Sequence, residues 1–164
     1  GAAIAEPERT TICLAGDGSI QMNLQELQTI QTYQLPIKIF VLNNQGYHSI
    51  RQTQSNFFGE PLIGCQEHQG IDFPDMEKLA AAYGYAFSRA NTHADMDVAI
   101  TAALKSPGAA ICEVMVTPDQ VFAPKPSSVR LADGRMVSRP LEDQAPFLDR
   151  EELRQNMYIP LLGE

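Results

Sequence analysis

The chain predicts an α/β fold, doubly wound around a mostly parallel sheet with helices on both faces. Two observations carry this. Apolar, β-branched runs of strand length alternate with stretches of helical periodicity, and the first two such runs are joined by one helix and end in glycine or asparagine loops.

In chain order, residues 1–5 read as the last turn of a helix. Residues 10–15, Thr-Thr-Ile-Cys-Leu-Ala, form a strand that stops at Gly16. A helix is expected to begin near Asn23, which with Glu26 makes an Asn-x-x-Glu cap, and to bury Leu24, Leu27 and Ile30. Residues 37–42 form the second strand. A strand-helix-strand unit of this length closes as a right-handed crossover with parallel strands. Both strands therefore end at the same edge, where open α/β sheets bind ligands. Asp72-Phe-Pro-Asp75 opens a helix running to Tyr83, with Pro74 in its first turn, Leu79, Ala80 and Tyr83 on one face, and Gly84 as its stop. Residues 85–89 read as a strand. Thr92 and Asp95 form a capping pair for a helix reaching Lys105, which Ser106-Pro-Gly ends. Residues 110–116 form a buried strand interrupted by one acid, Glu113, assigned to an edge or a salt bridge. The sheet thus has at least four strands.

Length and charge narrow the class. At 164 residues the chain is of single-domain size and can bury a core. A formal charge of −8 without a basic patch argues against nucleic acid and anionic membranes as partners. No apolar run is long enough to span a bilayer, and there is no repeat. Three cysteines without CxxC spacing suggest reduced thiols and a cytoplasmic setting. Cys13 and Cys112 lie in strand runs and are expected in the core; Cys65 is in a loop and suggests no function.

The chemistry-bearing residues sit at the two strand ends. Gly16-Asp-Gly-Ser19 follows the first strand and Asn43-Asn44 the second, the 24 residues 19–42 separating Gly18 from Asn43. Asp17 offers an anionic oxygen and Asn44 a neutral one, with carbonyls of the turn after Asn44 within reach. All-oxygen sets of this kind suit Mg²⁺ or Ca²⁺, and Mg²⁺ characteristically adds the phosphates of a ligand. Backbone N–H groups of Gly18 and Ser19 at a helix start complete an anion cradle. Either motif alone is an ordinary turn or loop. Their combination at this spacing carries the functional reading.

Gly-Asp-Gly followed some two dozen residues later by Asn-Asn resembles the signature of thiamine-diphosphate-dependent enzymes. The surrounding text, GDGSIQMNLQELQTIQTYQLPIKIFVLNNQGYHSIRQTQ, looks most like the acetolactate synthase branch. The likeness covers residues 1–117, a thiamine-diphosphate and Mg²⁺ domain; residues 118–164 are an irregular tail with a short helix, part of the same domain. It implies Asp17, Asn44 and the backbone oxygen of Gly46 as Mg²⁺ ligands, and Gly16, Asp17, Gly18, Ser19, Asn44, Gly46 and Tyr47 as cofactor-binding positions. Decarboxylases of this superfamily carry a glutamate where Ile50 stands, so the aliphatic residue favours carboligation. Acetolactate synthases usually put a tryptophan where Thr53 stands, which leaves the acceptor open. His48, Ser49, Ile50 and Thr53 are the candidate substrate pocket, with a solvated loop as the alternative for His48; Arg51 and Gln52 line the pocket or are helix surface.

The resemblance implies further parts. The glutamate that hydrogen-bonds the aminopyrimidine ring is expected on the pyrimidine-binding domain of a partner subunit, so no glutamate here takes that role and the chain alone is expected to be inactive. A homo-oligomer acting on a 2-keto acid is implied, with FAD, where used, bound outside this domain. The alternatives are another thiamine-diphosphate enzyme, whether decarboxylase or keto-sugar or acyl-CoA ligase or lyase, and a non-catalytic assembly domain of the same fold. In the tail, residues 118–146 are rich in proline with weak periodicity, and Asp149 caps a helix to about Met157.

Overall fold

The computed structural model describes residues 1–161. A short helix α1 (Ala2–Ala5) precedes strand β1 (Thr11–Gly16). The backbone turns helical directly after β1, through α2 (Asp17–Ile20), a 3₁₀ turn at Gln21–Asn23 and α3 (Glu26–Thr32). The cap expected at Asn23 is not made. Asn23 lies within the 3₁₀ turn, and Gln25, ahead of α3, holds φ −61° and ψ −26°, so the extended backbone that an N-cap side chain needs never arises.

Strand β2 (Ile37–Asn43) follows, then α4 (His48–Phe57), α5 (Met76–Tyr83), β3 (Ala86–Ala90), α6 (His93–Lys105) and β4 (Ala110–Met115). The four strands pair in parallel in the order β1-β2-β4-β3. The expected strands are therefore present within a residue of their predicted ends. Asp75, rather than a first turn holding Pro74, starts α5: its Oδ1 accepts from the N–H groups of Glu77 and Lys78 at 2.9 and 3.1 Å. Gly84 ends that helix at φ +76°. The Thr92–Asp95 capping box forms as its spacing predicts.

Alternate residues of the strands face two cores. Ile39, Val41 and Ile111 pack with Leu27 of α3 and Met76 and Ala80 of α5; Phe40 and Cys112 pack on the other face with Ala99 and Ala103 of α6. Burying a side chain such as Val41 or Ile111 contributes about 1.5–3 kcal/mol. The Tyr85 hydroxyl donates to the Leu27 carbonyl at 2.9 Å, tying α3 to the segment between α5 and β3. Lys38 is buried in β2, and its ammonium donates to the carbonyls of Ser106 and Gly108 where α6 ends. Cys13 is exposed, not core as the sequence suggests, because β1 is the edge strand; Ile12 and Leu14 are exposed beside it.

By internal contacts the chain divides into Gly1–Gln120 and a second unit from Val121 onward. The second unit has more order than a proline-rich tail predicts. A hairpin pairs β5 (Ser128–Arg130) with β6 (Met136–Ser138), turning through Leu131-Ala-Asp-Gly134, where Gly134 N–H donates to Leu131. Helix α7 (Arg150–Asn156) is capped by Asp149, as expected. Asp143, 3% exposed, is gripped by Arg150 through Nη1–Oδ2 and Nη2–Oδ1 contacts of 2.6 and 2.9 Å, with Arg139 Nε at 3.6 Å.

Candidate functional site

The two motif halves meet at the carboxyl edge of the sheet. Asp17 is the first residue after β1 and is 2% exposed. Its Oδ1 accepts from the N–H of Gly18 at 2.9 Å, and its Oδ2 from the N–H of Gly46 at 2.9 Å, the latter 29 residues away in the loop after β2. That second bond joins the halves. Burial pushes the Asp17 carboxyl above the ordinary carboxylate range, and the backbone N–H groups of Gly46, Gly18 and Gln45 only partly offset it. No lysine, arginine or histidine among the described residues forms an ion pair with it.

The loop after β2 is pinned atom by atom. Val116 N–H donates to the Asn43 carbonyl at 2.8 Å, Gln45 N–H to Asn43 Oδ1 at 3.0 Å, and Tyr47 N–H to the Cys65 carbonyl at 2.8 Å. Gly46 sits at φ +150°, and a Cβ there would stand 2.2 Å from the Cys65 carbonyl oxygen, so only glycine fits. Over Gly18 lies the ring of Tyr47, within 2.4 Å of where a Cβ would be, and Tyr47 packs edge-on against Phe73 at 5.7 Å. Asn44 Oδ1 is buried and has no hydrogen-bond partner among the described residues.

An acceptor buried without a donor is costly in a folded protein, and a cation relieves it. Asn44 Oδ1 and the Asp17 carboxylate are thus a donor set suited to a hard divalent ion. Among the described residues no three His, Cys, Asp or Glu side chains gather into a metal cluster.

The other sequence candidates separate. Gly16 ends β1, and Ser19 is exposed in the first turn of α2. Along α4, His48 is buried, against the solvated-loop alternative, and shares that side with Arg51. Ser49, Ile50 and Thr53 are exposed, and the Thr53 hydroxyl donates back to the Ser49 carbonyl at 2.8 Å. Gln52 is half-buried.

Beside the site lies a cavity of about 340 Å³, lined in part by Asn43, Gln45, Phe73, Arg89 and Glu113. Glu113, 3% exposed, accepts from Asn43 Nδ2 at 2.7 Å and Arg89 Nε at 2.6 Å, which resolves it as a salt bridge. Sequence reading missed Asn43 as the clamp and the Cys65 carbonyl as the seat of Gly46. Asn43 was visible as half of the amide pair; nothing in the sequence marks the carbonyl of residue 65. Among the described residues no helix is long and apolar enough to cross a membrane.

Comparison with known proteins follows the same geometry. The family described as thiamine pyrophosphate enzyme, C-terminal TPP binding domain, matches residues 1–114. The acetolactate synthase large subunit of Pyropia yezoensis is 39% identical over 120 residues, which are 73% of this chain and 20% of that protein. Isozyme 2 of Escherichia coli K12 is 37% identical over 116 residues, 71% of this chain and 21% of that one. Among solved structures, the Rhodococcus jostii RHA1 thiamine diphosphate-dependent 4-hydroxybenzoylformate decarboxylase superposes with a TM-score of 0.60 at 30% identity, covering 71% of this chain and 21% of that chain. The chain spans about a fifth of the length of the relatives it matches. With its parallel sheet and its paired strand-end motifs, the chain belongs to the C-terminal TPP-binding domain family of thiamine pyrophosphate enzymes.

Proposed function

We propose that this chain is the Mg²⁺-dependent, thiamine-diphosphate-holding domain of a cytoplasmic acetolactate synthase-like enzyme, which decarboxylates a 2-keto acid and joins the product to a second carbonyl. One observation carries the reading. Asp17, a buried carboxylate without a side-chain counter-charge among the described residues, is joined through Gly46 to a loop whose Asn44 Oδ1 is buried and, among the same residues, without a hydrogen-bond partner. Two such oxygens cost stability in the absence of a cation and repay it with one.

Asp17, Asn44 and the Gly46 carbonyl would hold the ion; Gly16, Gly18, Ser19 and Tyr47 would border the diphosphate. When bound, thiamine diphosphate supplies the carbanion chemistry at the keto carbon. The chain's own residues would fix and orient it: Gly46 permits the close approach of its loop to the Cys65 backbone, and Tyr47, packed on Phe73, covers Gly18. Ser49, Ile50 and Thr53, exposed together on α4, would face substrate, with His48 on the buried side of the same helix. Ile50, 44% exposed and aliphatic, supplies no proton relay, which supports carboligation over simple decarboxylation. The aminopyrimidine-activating glutamate would come from the pyrimidine-binding domain of a partner subunit in a homo-oligomer.

Calorimetric titration of the full-length enzyme with thiamine diphosphate, with and without Mg²⁺, tests this. Saturable binding only with Mg²⁺, together with acetolactate formed from pyruvate, is expected. Mg²⁺-independent binding would remove Asp17 and Asn44 from the site. The chain by itself is expected to give no turnover.

A further inference from the structure

We propose that Arg51 is a positioning residue for the Asn44 ligand, a strut tying the loop after β2 to the segment after β4. This rests on the reading of Asp17 and Asn44 as the cation site. Arg51 lies in α4 and is 8% exposed. Its Nη2 donates to the Asn44 carbonyl at 3.0 Å and its Nη1 to the Pro118 carbonyl at 3.5 Å, while Nε has no hydrogen-bond partner among the described residues. It makes no ion pair among those residues.

A guanidinium buried without a carboxylate is an expensive way to fill space, and a leucine or methionine would pack there at lower cost. What arginine adds is a rigid planar fork that can hold two acceptors at once. Here the two acceptors belong to the exits of neighbouring strands. The β2–β4 ladder pairs Asn43 with Met115 and continues by one bond, Val116 N–H to the Asn43 carbonyl. At the next residue the ladder stops, and Arg51 takes over by spanning Asn44 and Pro118. With the Asn43 carbonyl, the Asn44 carbonyl and the Gly46 and Tyr47 N–H groups all engaged, the backbone that aims the Asn44 side chain is fixed on both flanks. The charge needs no anion for this role; the two carbonyl dipoles stabilise it.

Arg51→Met and Arg51→Lys in the full-length enzyme test the strut, with two readouts besides activity. These are thiamine diphosphate affinity at fixed Mg²⁺ by calorimetry, and the electron paramagnetic resonance spectrum of Mn²⁺ in place of Mg²⁺. Arg51→Met is expected to weaken cofactor affinity about tenfold, the scale on which small misplacements of a ligand group act. It is also expected to broaden the Mn²⁺ spectrum, and the loss falls on affinity more than on kcat at saturating cofactor. Arg51→Lys, which reaches one carbonyl but cannot fork to both, is expected to lie between. A lowered melting temperature with unchanged affinity and unchanged spectrum would make Arg51 a packing residue and overturn the proposal. If Arg51→Met does not fold, Arg51→Lys decides: wild-type affinity and spectrum overturn the strut, and intermediate values support it. Asn44→Ala separates the two readings. If it leaves affinity unchanged, the cation-site reading fails and the strut with it; if it weakens binding while Arg51→Met does not, only the strut falls.

Discussion

Asp17 and Asp143 are the same residue type at the same depth, 2% and 3% exposed, in the two units of the chain. Their surroundings are opposite. Asp143 has a bidentate guanidinium from Arg150 and a second arginine, Arg139, and Arg150 holds its carboxyl below the ordinary range. Among the described residues Asp17 has only backbone N–H groups, and burial drives its carboxyl above that range. One carboxylate is a finished structural contact; the other has no counter-charge among the described residues. Depth alone therefore says nothing about role. On the proposed reading, what distinguishes a site from a brace is whether the protein supplies the cation.

The largest expected effect is on the unfinished side. Asp17→Ala in the full-length enzyme should cost about 4 kcal/mol of Mg²⁺-dependent thiamine diphosphate binding, roughly a thousandfold, because Asn44 and a carbonyl cannot neutralise a divalent ion alone. The apo protein should melt at an unchanged or higher temperature, since an uncompensated buried charge is removed. Near-normal affinity by calorimetry would take Asp17 out of the site. Asp143→Ala should behave in reverse. It strands two arginines and should cost the second unit about 2 kcal/mol, the low side for a broken buried pair because Arg150 keeps about a third of its side chain in solvent. Amide exchange in the β5–β6 hairpin would report that loss, and protection equal to wild type would show the brace to be idle.

Asn44→Asp sharpens the contrast at smaller scale by giving the unfinished site a second anion. The cation should bind more tightly, and the diphosphate less tightly by about tenfold, as like charges meet across the ion. Improved cofactor affinity at unchanged Mg²⁺ would refute the proposed arrangement.

Legibility in the sequence divides along the same line. Asp17, Asn44 and the four strands were readable because strand-end position follows from local apolar runs and one crossover rule. The Thr92–Asp95 cap was readable because its three-residue spacing is its mechanism. Asn23 misled because a good cap residue is only a cap where the backbone is extended, and here the helical path had already begun at Asp17. Cys13 misled because strand order, which makes β1 the edge, is not written in β1 itself. Arg51, read from sequence only as pocket lining or helix surface, is in fact buried, and its bridging role and the Asp143–Arg150 clamp were invisible for another reason. Each joins groups that tertiary structure brings together, one across strand exits and the other across an irregular segment with no period to read.

The smallest expected effect is also the one that reads both carboxylates in a single experiment. A carboxyl whose folded pKa is raised adds stability that is complete below its unfolded pKa and lost as pH rises through the folded one. Asp17 is of this kind, so acidification toward the ordinary carboxylate range should tighten Gly1–Gln120 through this group. A carboxyl whose folded pKa is lowered does the opposite: its contribution is present above the unfolded pKa and disappears as pH falls through the folded one. Asp143 is of this kind, so the unit from Val121 onward should loosen at the acid end. Amide exchange followed across that range in wild type, Asp17→Asn and Asp143→Asn should show the two slopes, and each substitution should flatten only its own. Loading the full-length enzyme with Mg²⁺ and thiamine diphosphate should then reverse the Asp17 slope, because a bound cation does for Asp17 what Arg150 does for Asp143. A slope that stays the same after loading would mean that the ion, wherever it binds, does not sit on Asp17.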